Sequence, residues 1–74
     1  MRFSSHDIYL KAFGNNLRRI RKDQKMTMEN LAFHSEIEYR QIGRIERGEV
    51  NTTILSLLKI SEALKIEMYL FFIF

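Results

Sequence analysis

Hydrophobic residues recur along this chain at the spacing of a helix. Leu10, Phe13, Leu17 and Ile20 lie three or four residues apart, which places them on one face of a helix. Similar spacing returns in shorter segments, and no stretch alternates hydrophobic and polar residues as a strand would. The sequence contains no proline, repeat or low-complexity stretch that would mark a linker. The pattern therefore predicts an all-α fold of short helices, in one domain over residues 1–74.

Five helices are predicted from these stripes and from the residues that favour helix ends. The first should begin at Ser4 or Ser5, because Ser4 and Asp7 have the spacing of a capping box, and it should end near Asp23. The other four are predicted over residues 28–34, 39–47, 52 or 53 to 64, and 67–72. Short turns join them all, as in a compact bundle.

Single residues mark the ends and the packing of these helices. Thr27 is expected to cap the second helix and Glu38 the third, because side-chain oxygens at these positions accept hydrogen bonds from free amides of the first turn. Gly48 should end the third helix in the left-handed conformation. Gly14 lies inside the first helix, where glycine is unfavourable, so we expect another segment to pack closely against it. In the fourth helix the predicted buried stripe is Leu57, Leu58, Ile60 in part, Ser61 and Leu64.

A chain of 74 residues buries a small core, and small domains commonly depend on a disulfide, a metal or a partner subunit. Cysteine is absent, and His6 and His34 have no metal-ligand spacing, so no disulfide, metal or other cofactor is expected. The longest apolar run, residues 68–74, is seven residues long, whereas a membrane-spanning helix needs about 20. We therefore expect a cytoplasmic protein that is stabilised by a second copy of itself.

The net charge of +3 is unevenly distributed along the chain. Residues 1–25 contain seven basic and two acidic side chains, whereas residues 26–50 contain three arginines and five glutamates. A basic segment beside a mixed one suits a polyanionic partner, but such charges also serve simply to keep a surface solvated. Charge alone leaves both interpretations open.

Residues 27–48 have the plan of a helix-turn-helix: two short predicted helices joined by a tight turn, the second of them rich in Arg, Gln and Tyr. The major groove of B-DNA admits one α-helix, and side chains near the start of that helix reach base edges. The preceding helix lies across the groove with its N-terminal amides towards phosphates. The sequence therefore predicts double-stranded DNA as a partner.

Four short sequences between residues 13 and 66 carry a resemblance: LRRIR at 17–21, LA at 31–32, IGRIERG at 42–48 and LLKISEAL at 57–64. With them the chain resembles the Cro and lambda-repressor-like (XRE) family of bacterial and phage regulators. Gly43 and the small size also resemble restriction-modification controller proteins, a subset of that family. The resemblance implies a compact five-helix lambda-repressor-like DNA-binding domain, with the helix at 39–47 in the major groove.

The resemblance also implies roles for single residues. Arg21 and Glu46 match a buried ion pair that joins the first helix to the end of the third. Five side chains are implied at base edges: Glu38, Tyr39, Arg40, Gln41 and Arg44. Of these, Gln41 lies near either a base or the DNA backbone. Five residues are placed beside phosphates: Thr27, Met28, Asn51, Thr52 and Thr53. Glu36 occupies the turn position where the family usually has glycine, so it must adopt a positive φ or the turn must change.

The base-contacting roles have plainer alternatives. Arg40 and Arg44 suit bidentate contacts with guanine, but they equally suit a solvated helix face. Glu38 is explained by helix capping alone, or it accepts a hydrogen bond from cytosine. Tyr39 packs either on a sugar or thymine methyl group or on the surface of the protein.

The C-terminal segment, residues 66–74, has more large apolar side chains than so small a domain is expected to bury. Six of them are predicted to form an interface with a second copy of the chain: Tyr69, Leu70, Phe71, Phe72, Ile73 and Phe74. Such a dimer would hold two copies of the third helix about 34–36 Å apart, which is one turn of DNA. The alternative is that the segment folds onto the first helix near Phe3 and Ile8.

Together these features predict a sequence-specific transcriptional regulator that binds a palindromic operator as a homodimer. A second hypothesis is an antitoxin that binds a partner protein through the C-terminal segment and regulates its own gene by binding DNA. An enzyme is not expected, because the sequence has no carboxylate pair suited to acid–base work, no nucleophile beside a histidine and no phosphate-binding loop. A small-molecule effector is not expected either, since 74 residues leave no room for a separate ligand domain.

Overall fold

Residues 6–74 are the part of the chain that the computed structural model describes, and their regular structure is helical throughout. Four α-helices and a C-terminal 3-10 helix follow in order: α1 (His6–Asp23), α2 (Met28–Ser35), α3 (Tyr39–Glu46), α4 (Ile54–Leu64) and the 3-10 helix (Met68–Phe72). The all-α prediction is confirmed. Within this range no helix combines the length and the apolar character of a membrane span. The predicted helix start at Ser4 or Ser5, with its capping box, lies outside the described residues.

The predicted fifth α-helix is wrong in type. Met68–Phe72 is a 3-10 helix, in which Leu70 N–H donates to the Glu67 carbonyl oxygen at 3.1 Å. Glu67 precedes it without a side-chain cap. A segment this short closes few of the hydrogen bonds that make an α-helix cooperative, and 3-10 bonding is common in such short pieces.

The start of α2 is fixed by a reciprocal capping box. Thr27 Oγ1 accepts a hydrogen bond from Asn30 N–H at 3.0 Å, and Asn30 Oδ1 accepts one from Thr27 N–H at 3.3 Å. The predicted cap at Thr27 is confirmed, and α2 runs to Ser35, one residue beyond its predicted end. Glu36 then adopts a φ of 61°. Of the two possibilities for this turn, the glutamate therefore takes the conformation that glycine usually supplies.

The end of α3 depends on a left-handed glycine. The helix ends at Glu46, one residue before the prediction, and Gly48 has the predicted positive φ, 72°. Gly48 N–H donates to the Ile45 carbonyl oxygen at 3.0 Å, which closes the helix. A Cβ atom on Gly48 would also lie 2.7 Å from the backbone of Lys11. The glycine thus turns the chain and lets α1 pass close to the end of α3.

One cluster of buried apolar side chains joins all the helices. Its members are Phe13, Leu17, Leu31, Ile42, Ile45, Leu57, Ile60, Leu64 and Phe71. In α4 the predicted stripe is confirmed at Leu57, Ile60, Ser61 and Leu64, but the prediction for Leu58 is wrong because its side chain is exposed. Leu58 follows Leu57 directly and therefore points about 100° further round the helix, away from the core.

The C-terminal 3-10 helix is tied to α1 by a buried asparagine. Asn16 Nδ2 donates to the carbonyl oxygens of Leu70 at 3.0 Å and Phe71 at 2.9 Å. The Phe71 ring is fully buried and meets Phe13 edge-on, with centroids 6.2 Å apart. Phe72 also lies against Phe13, at a centroid distance of 5.2 Å. The segment therefore folds partly onto α1, and the predicted interface role of Phe71 is wrong because this side chain belongs to the chain's own core.

Gly14 lies where α1 and α3 approach closely, as its position in the sequence predicts. A Cβ atom on Gly14 would lie 2.5 Å from the Ile45 carbonyl oxygen and 2.8 Å from the Glu46 carbonyl carbon. Gly14→Ala should lower the free energy of unfolding by about 1–3 kcal/mol, because backbone atoms make room only if the two helices separate. Urea unfolding measures this loss. Asn15→Ala is the control, since Asn15 is exposed on the same helix, and equal stability of the two variants would contradict the close packing.

Candidate nucleic-acid interface

A buried ion pair holds α3 against α1. Arg21 Nε and Nη2 donate to the two carboxylate oxygens of Glu46 at 2.7 and 3.0 Å, and Arg21 Nη1 donates to the Met26 carbonyl oxygen at 2.9 Å. Both side chains are buried, so the predicted pair is present. The hydrogen bond with Glu46 raises the pKa of Arg21 above its usual value, against the opposing effect of burial. With Glu46 directed inward, the opposite face of α3 is open to solvent.

That outward face carries three arginines. Arg40, Arg44 and Arg47 are exposed and lie four and three residues apart, so they line one side of α3 up to the residue that ends it. Ile42 and Ile45 occupy the other side and are buried. We call Arg40, Arg44 and Arg47 the arginine face. Arg47 is not among the residues predicted from the sequence, although its helical spacing from Arg40 and Arg44 is the signal that would have identified it.

The other residues predicted to contact bases lie around the start of α3. Glu38 immediately precedes the helix and is exposed, but its side chain makes no capping hydrogen bond, so its predicted capping role is wrong. The shorter side chains of Ser, Thr, Asp and Asn are the ones that cap helices well. Tyr39 is about half exposed and Gln41 is partly buried. Glu38 and Tyr39 are therefore exposed, as Arg40 and Arg44 are, whereas Gln41 is only partly accessible.

A second ion pair lies at the C-terminal end of the arginine face. Arg47 Nε and Nη2 donate to the carboxylate oxygens of Glu49 at 2.8 and 3.2 Å, and both side chains are about half exposed. The guanidinium folds back over Gly43, where a Cβ atom would lie 2.9 Å from Nη1. The hydrogen bond from Arg47 lowers the pKa of the Glu49 carboxyl, and the charges of Arg44 and Lys11 act in the same direction. The Glu49 carboxylate is therefore influenced by three positive charges, those of Arg47, Arg44 and Lys11.

The first two residues predicted beside phosphates lie at the start of α2. Thr27 is exposed and uses its hydroxyl oxygen to cap the helix. Met28 is partly buried, and its terminal methyl group would lie 3.8 Å from a Cβ atom on Gly43. A thioether donates no hydrogen bond, so only the backbone amide of Met28 is suited to a phosphate. Met28 therefore lies close to Gly43, so the start of α2 is beside the middle of α3.

The other three predicted phosphate contacts lie between α3 and α4. Asn51 is exposed, whereas Thr53 caps α4 by accepting a hydrogen bond from Ser56 N–H at 3.1 Å. The Thr53 hydroxyl also donates to Ser56 Oγ at 3.0 Å. Thr52 Oγ1 is buried and has no hydrogen-bond partner within residues 6–74. A phosphate contact through the Thr52 hydroxyl is therefore contradicted, because the oxygen is not accessible.

Large apolar side chains remain exposed on α4 and on the C-terminal segment, and we call them the apolar patch residues. They are Ile54, Leu55, Leu58, Tyr69, Phe72, Ile73 and Phe74. Phe74 keeps half of its surface exposed although its ring lies 5.3 Å from that of Tyr9. Four of the six residues predicted at a dimer interface are thus exposed, while Leu70 is partly buried and Phe71 fully buried.

Solved structures that match the chain include restriction-modification controller proteins. C.AhdI from Aeromonas hydrophila is 34% identical with a TM-score of 0.85, and the match covers 86% of this chain and 97% of that one. C.Esp1396I, solved as a tetramer in complex with its natural 35 base-pair operator, is 35% identical with a TM-score of 0.77, over 85% of this chain and 83% of that one. An HTH_3 family transcriptional regulator from Vibrio cholerae is 28% identical with a TM-score of 0.85, over 92% of this chain and 38% of that longer chain.

The family comparison agrees with these structures and with the geometry of the site. No curated protein matches the chain. The family model described as helix-turn-helix (HTH_3) matches residues 17–71, a range that contains α2, the turn after it and α3. The resemblance predicted from the sequence is thereby confirmed. Because that match spans most of the chain, the chain belongs to the helix-turn-helix family.

Proposed function

We propose that this protein is a sequence-specific regulator of transcription that binds double-stranded DNA through α3. The observation that carries the proposal is the arginine face, whose three side chains are exposed on the side of α3 away from the core. The operator complex of C.Esp1396I, at 35% identity, supports DNA as the ligand. The function requires no catalytic chemistry, and it requires the chain to be in the compartment that holds the DNA.

In the proposed complex α3 lies in the major groove and α2 crosses it. Arg40 and Arg44 have the donors for bidentate hydrogen bonds to guanine O6 and N7. Tyr39, the first residue of the same helix, makes an apolar contact with a sugar or a thymine methyl group. The amides at the start of α2, including that of Met28, bond one phosphate, because the N-terminus of a helix favours anions. Asn51, which is exposed between α3 and α4, bonds another.

We further propose that the chain, as one helix-turn-helix domain, acts as a homodimer. Seven exposed apolar patch residues are many for a domain of this size, and a second copy would cover them. Twofold symmetry would place two α3 helices in half-sites about one helical turn apart, which makes the operator palindromic. Regulation then depends on protein concentration and dimerisation rather than on a small-molecule effector.

A selection of bound duplexes from a random pool at low salt tests this function. We expect a preferred sequence with two symmetric half-sites whose centres lie about 10–10.5 base pairs apart. Failure to enrich any duplex would overturn the proposal, and enrichment of isolated half-sites would contradict only the dimer. A stable complex with a second protein, dissolved by polar substitutions of the apolar patch residues, would instead support the antitoxin function.

Arg44→Ala is expected to change specificity as well as affinity. The substitution removes a bidentate contact with one base pair, so binding to the selected site should weaken by about 1–3 kcal/mol and discrimination at one position should be lost. Lys22→Ala is the control, because Lys22 is exposed on α1 and should weaken binding evenly across sequences, if at all. Titration of each variant on the selected site and on single-base variants measures both effects. Equal losses on selected and random duplexes would exclude Arg44 from base contact.

A further inference from the structure

We propose that Glu49 is an internal stand-in for a DNA phosphate, which holds Arg47 in an ion pair and thereby limits binding to DNA of unrelated sequence. The inference rests on the proposed function, since it assumes that the arginine face contacts DNA. Three observations carry it: the geometry of the pair, the backbone that holds Glu49 at the end of α3, and the exposure of the pair.

The geometry of the pair is the one with which arginine binds a phosphate. Glu49 presents two oxygens to Arg47 Nε and Nη2, at 2.8 and 3.2 Å. Arginine forms the same kind of fork with carboxylates and phosphates, through two parallel N–H groups. Glu49 therefore occupies the Nε–Nη2 edge of the guanidinium, while Nη1 is folded back over Gly43. A phosphate of the duplex can use the Nε–Nη2 edge only after the carboxylate has moved away.

The backbone sets the carboxylate at this place. Glu49 N–H donates to the Arg44 carbonyl oxygen at 2.9 Å, which fastens the residue to the last turn of α3. The preceding residue, Gly48, is fixed in its left-handed conformation against Lys11. Glu49 is thus held at the end of the arginine face, two residues before Asn51 in the connection to α4.

Stability of the fold does not account for an acid in this position. The Arg47–Glu49 pair is about half exposed, and exposed ion pairs contribute little to folding. Its effect on a DNA complex is larger, because a carboxylate beside the duplex repels phosphates and Arg47 must leave Glu49 before it can replace a counterion. Both effects oppose binding to any sequence. Unrelated DNA offers phosphate contacts alone, so this loss leaves it largely unbound, whereas base contacts from Arg40 and Arg44 keep the operator occupied.

Glu49→Gln tests the inference, because it keeps the shape of the side chain and removes its charge. Fluorescence anisotropy with a random duplex, from about 50 to about 200 mM salt, measures affinity and salt dependence. We expect the affinity at about 100 mM salt to rise about three- to tenfold, and the slope of log K against log salt to become steeper by about one.

Asp23→Asn is the matched control, since it makes the same change in net charge and also removes a carboxylate from an exposed ion pair, the one with Arg19 on α1. We expect it to change the affinity by less than about twofold, because charges outside the contact surface are screened by salt. The melting temperatures of both variants should stay close to that of the wild type. A similar gain for the two variants would overturn the inference and leave the proposed function intact.

Arg47→Ala shows whether Glu49 acts through its partner. In that background no arginine is released, so Glu49→Gln should raise the affinity by at most half as much on a logarithmic scale. An undiminished gain would overturn the role of the ion pair. A wild-type chain that binds no duplex at any salt concentration would overturn the proposed function itself, an outcome distinct from the other two.

Discussion

Glu46→Ala should lower the free energy of unfolding by about 3–5 kcal/mol, because it leaves the Arg21 guanidinium buried without its counter-charge. Arg21 would retain its hydrogen bond to the Met26 carbonyl oxygen, which carries only a partial charge. Small domains have total stabilities of about 5–15 kcal/mol, so the loss would unfold a measurable fraction of the molecules. Equilibrium unfolding in urea, followed by circular dichroism, measures it.

An exposed ion pair on α1, the helix that contains Arg21, provides the control. Arg19 Nη1 lies 3.1 Å from Asp23 Oδ2, and both side chains are more than half exposed. Asp23→Ala should therefore change stability by less than about 1 kcal/mol. Replacing both buried partners, as Arg21→Met with Glu46→Leu, should recover most of the loss, since no unpaired charge is left inside. A loss for Glu46→Ala no larger than that for Asp23→Ala would show that the buried pair is not required.

The helix-turn-helix could be predicted because local chemistry determines most of it. Thr27 begins α2 through a capping box, and Gly48 closes α3 with a positive φ; both features belong to residue types that favour those positions. The Arg21–Glu46 pair joins residues 25 apart. The resemblance to a family implies it, and the position of Glu46 beside Ile45 on the inner face of α3 agrees with it. Arg44 is exposed as predicted, since the apolar stripe of α3 leaves its opposite side to solvent.

Other features of the structure depend on contacts that no local sequence pattern predicts. Lys25 and Lys65 both adopt a φ of 58° after helix ends, although lysine has no preference for the left-handed region. The fork between Arg47 and Glu49 needs the turn at Gly48 to bring the two side chains together. Spacing on a helical wheel shows that Arg47 is exposed, but it does not show that an acid beyond the helix binds it.

The C-terminal segment is the clearest case, because a run of apolar residues does not show which side chain faces inward. Asn16 bonds to the Phe71 carbonyl oxygen across 55 positions of the chain. This polar contact, together with the Phe13 ring, turns Phe71 inward and leaves Phe72 half exposed. The sequence therefore predicts correctly that the segment is partly on the surface, but it does not predict which residue joins the core.

Phe71→Ala should lower the free energy of unfolding by about 3–5 kcal/mol, because it removes a fully buried ring and leaves a cavity between α1 and α4. Phe72→Ala is the matched control, since it removes the same ring from the neighbouring, half-exposed position. Its loss in dilute protein should be only about 1–2 kcal/mol. Urea unfolding of the two variants beside the wild type gives both values.

Protein concentration distinguishes a core residue from an interface residue. Association stabilises a folded protomer by mass action, so the contribution of an interface side chain grows as protein is added, whereas that of a core side chain stays constant. The loss caused by Phe71→Ala should therefore be the same at about 1 μM and about 100 μM protein, while the loss caused by Phe72→Ala should increase. A Phe71→Ala loss that disappears on dilution would return this residue to the interface, and a Phe72→Ala loss that stays constant would remove Phe72 from it.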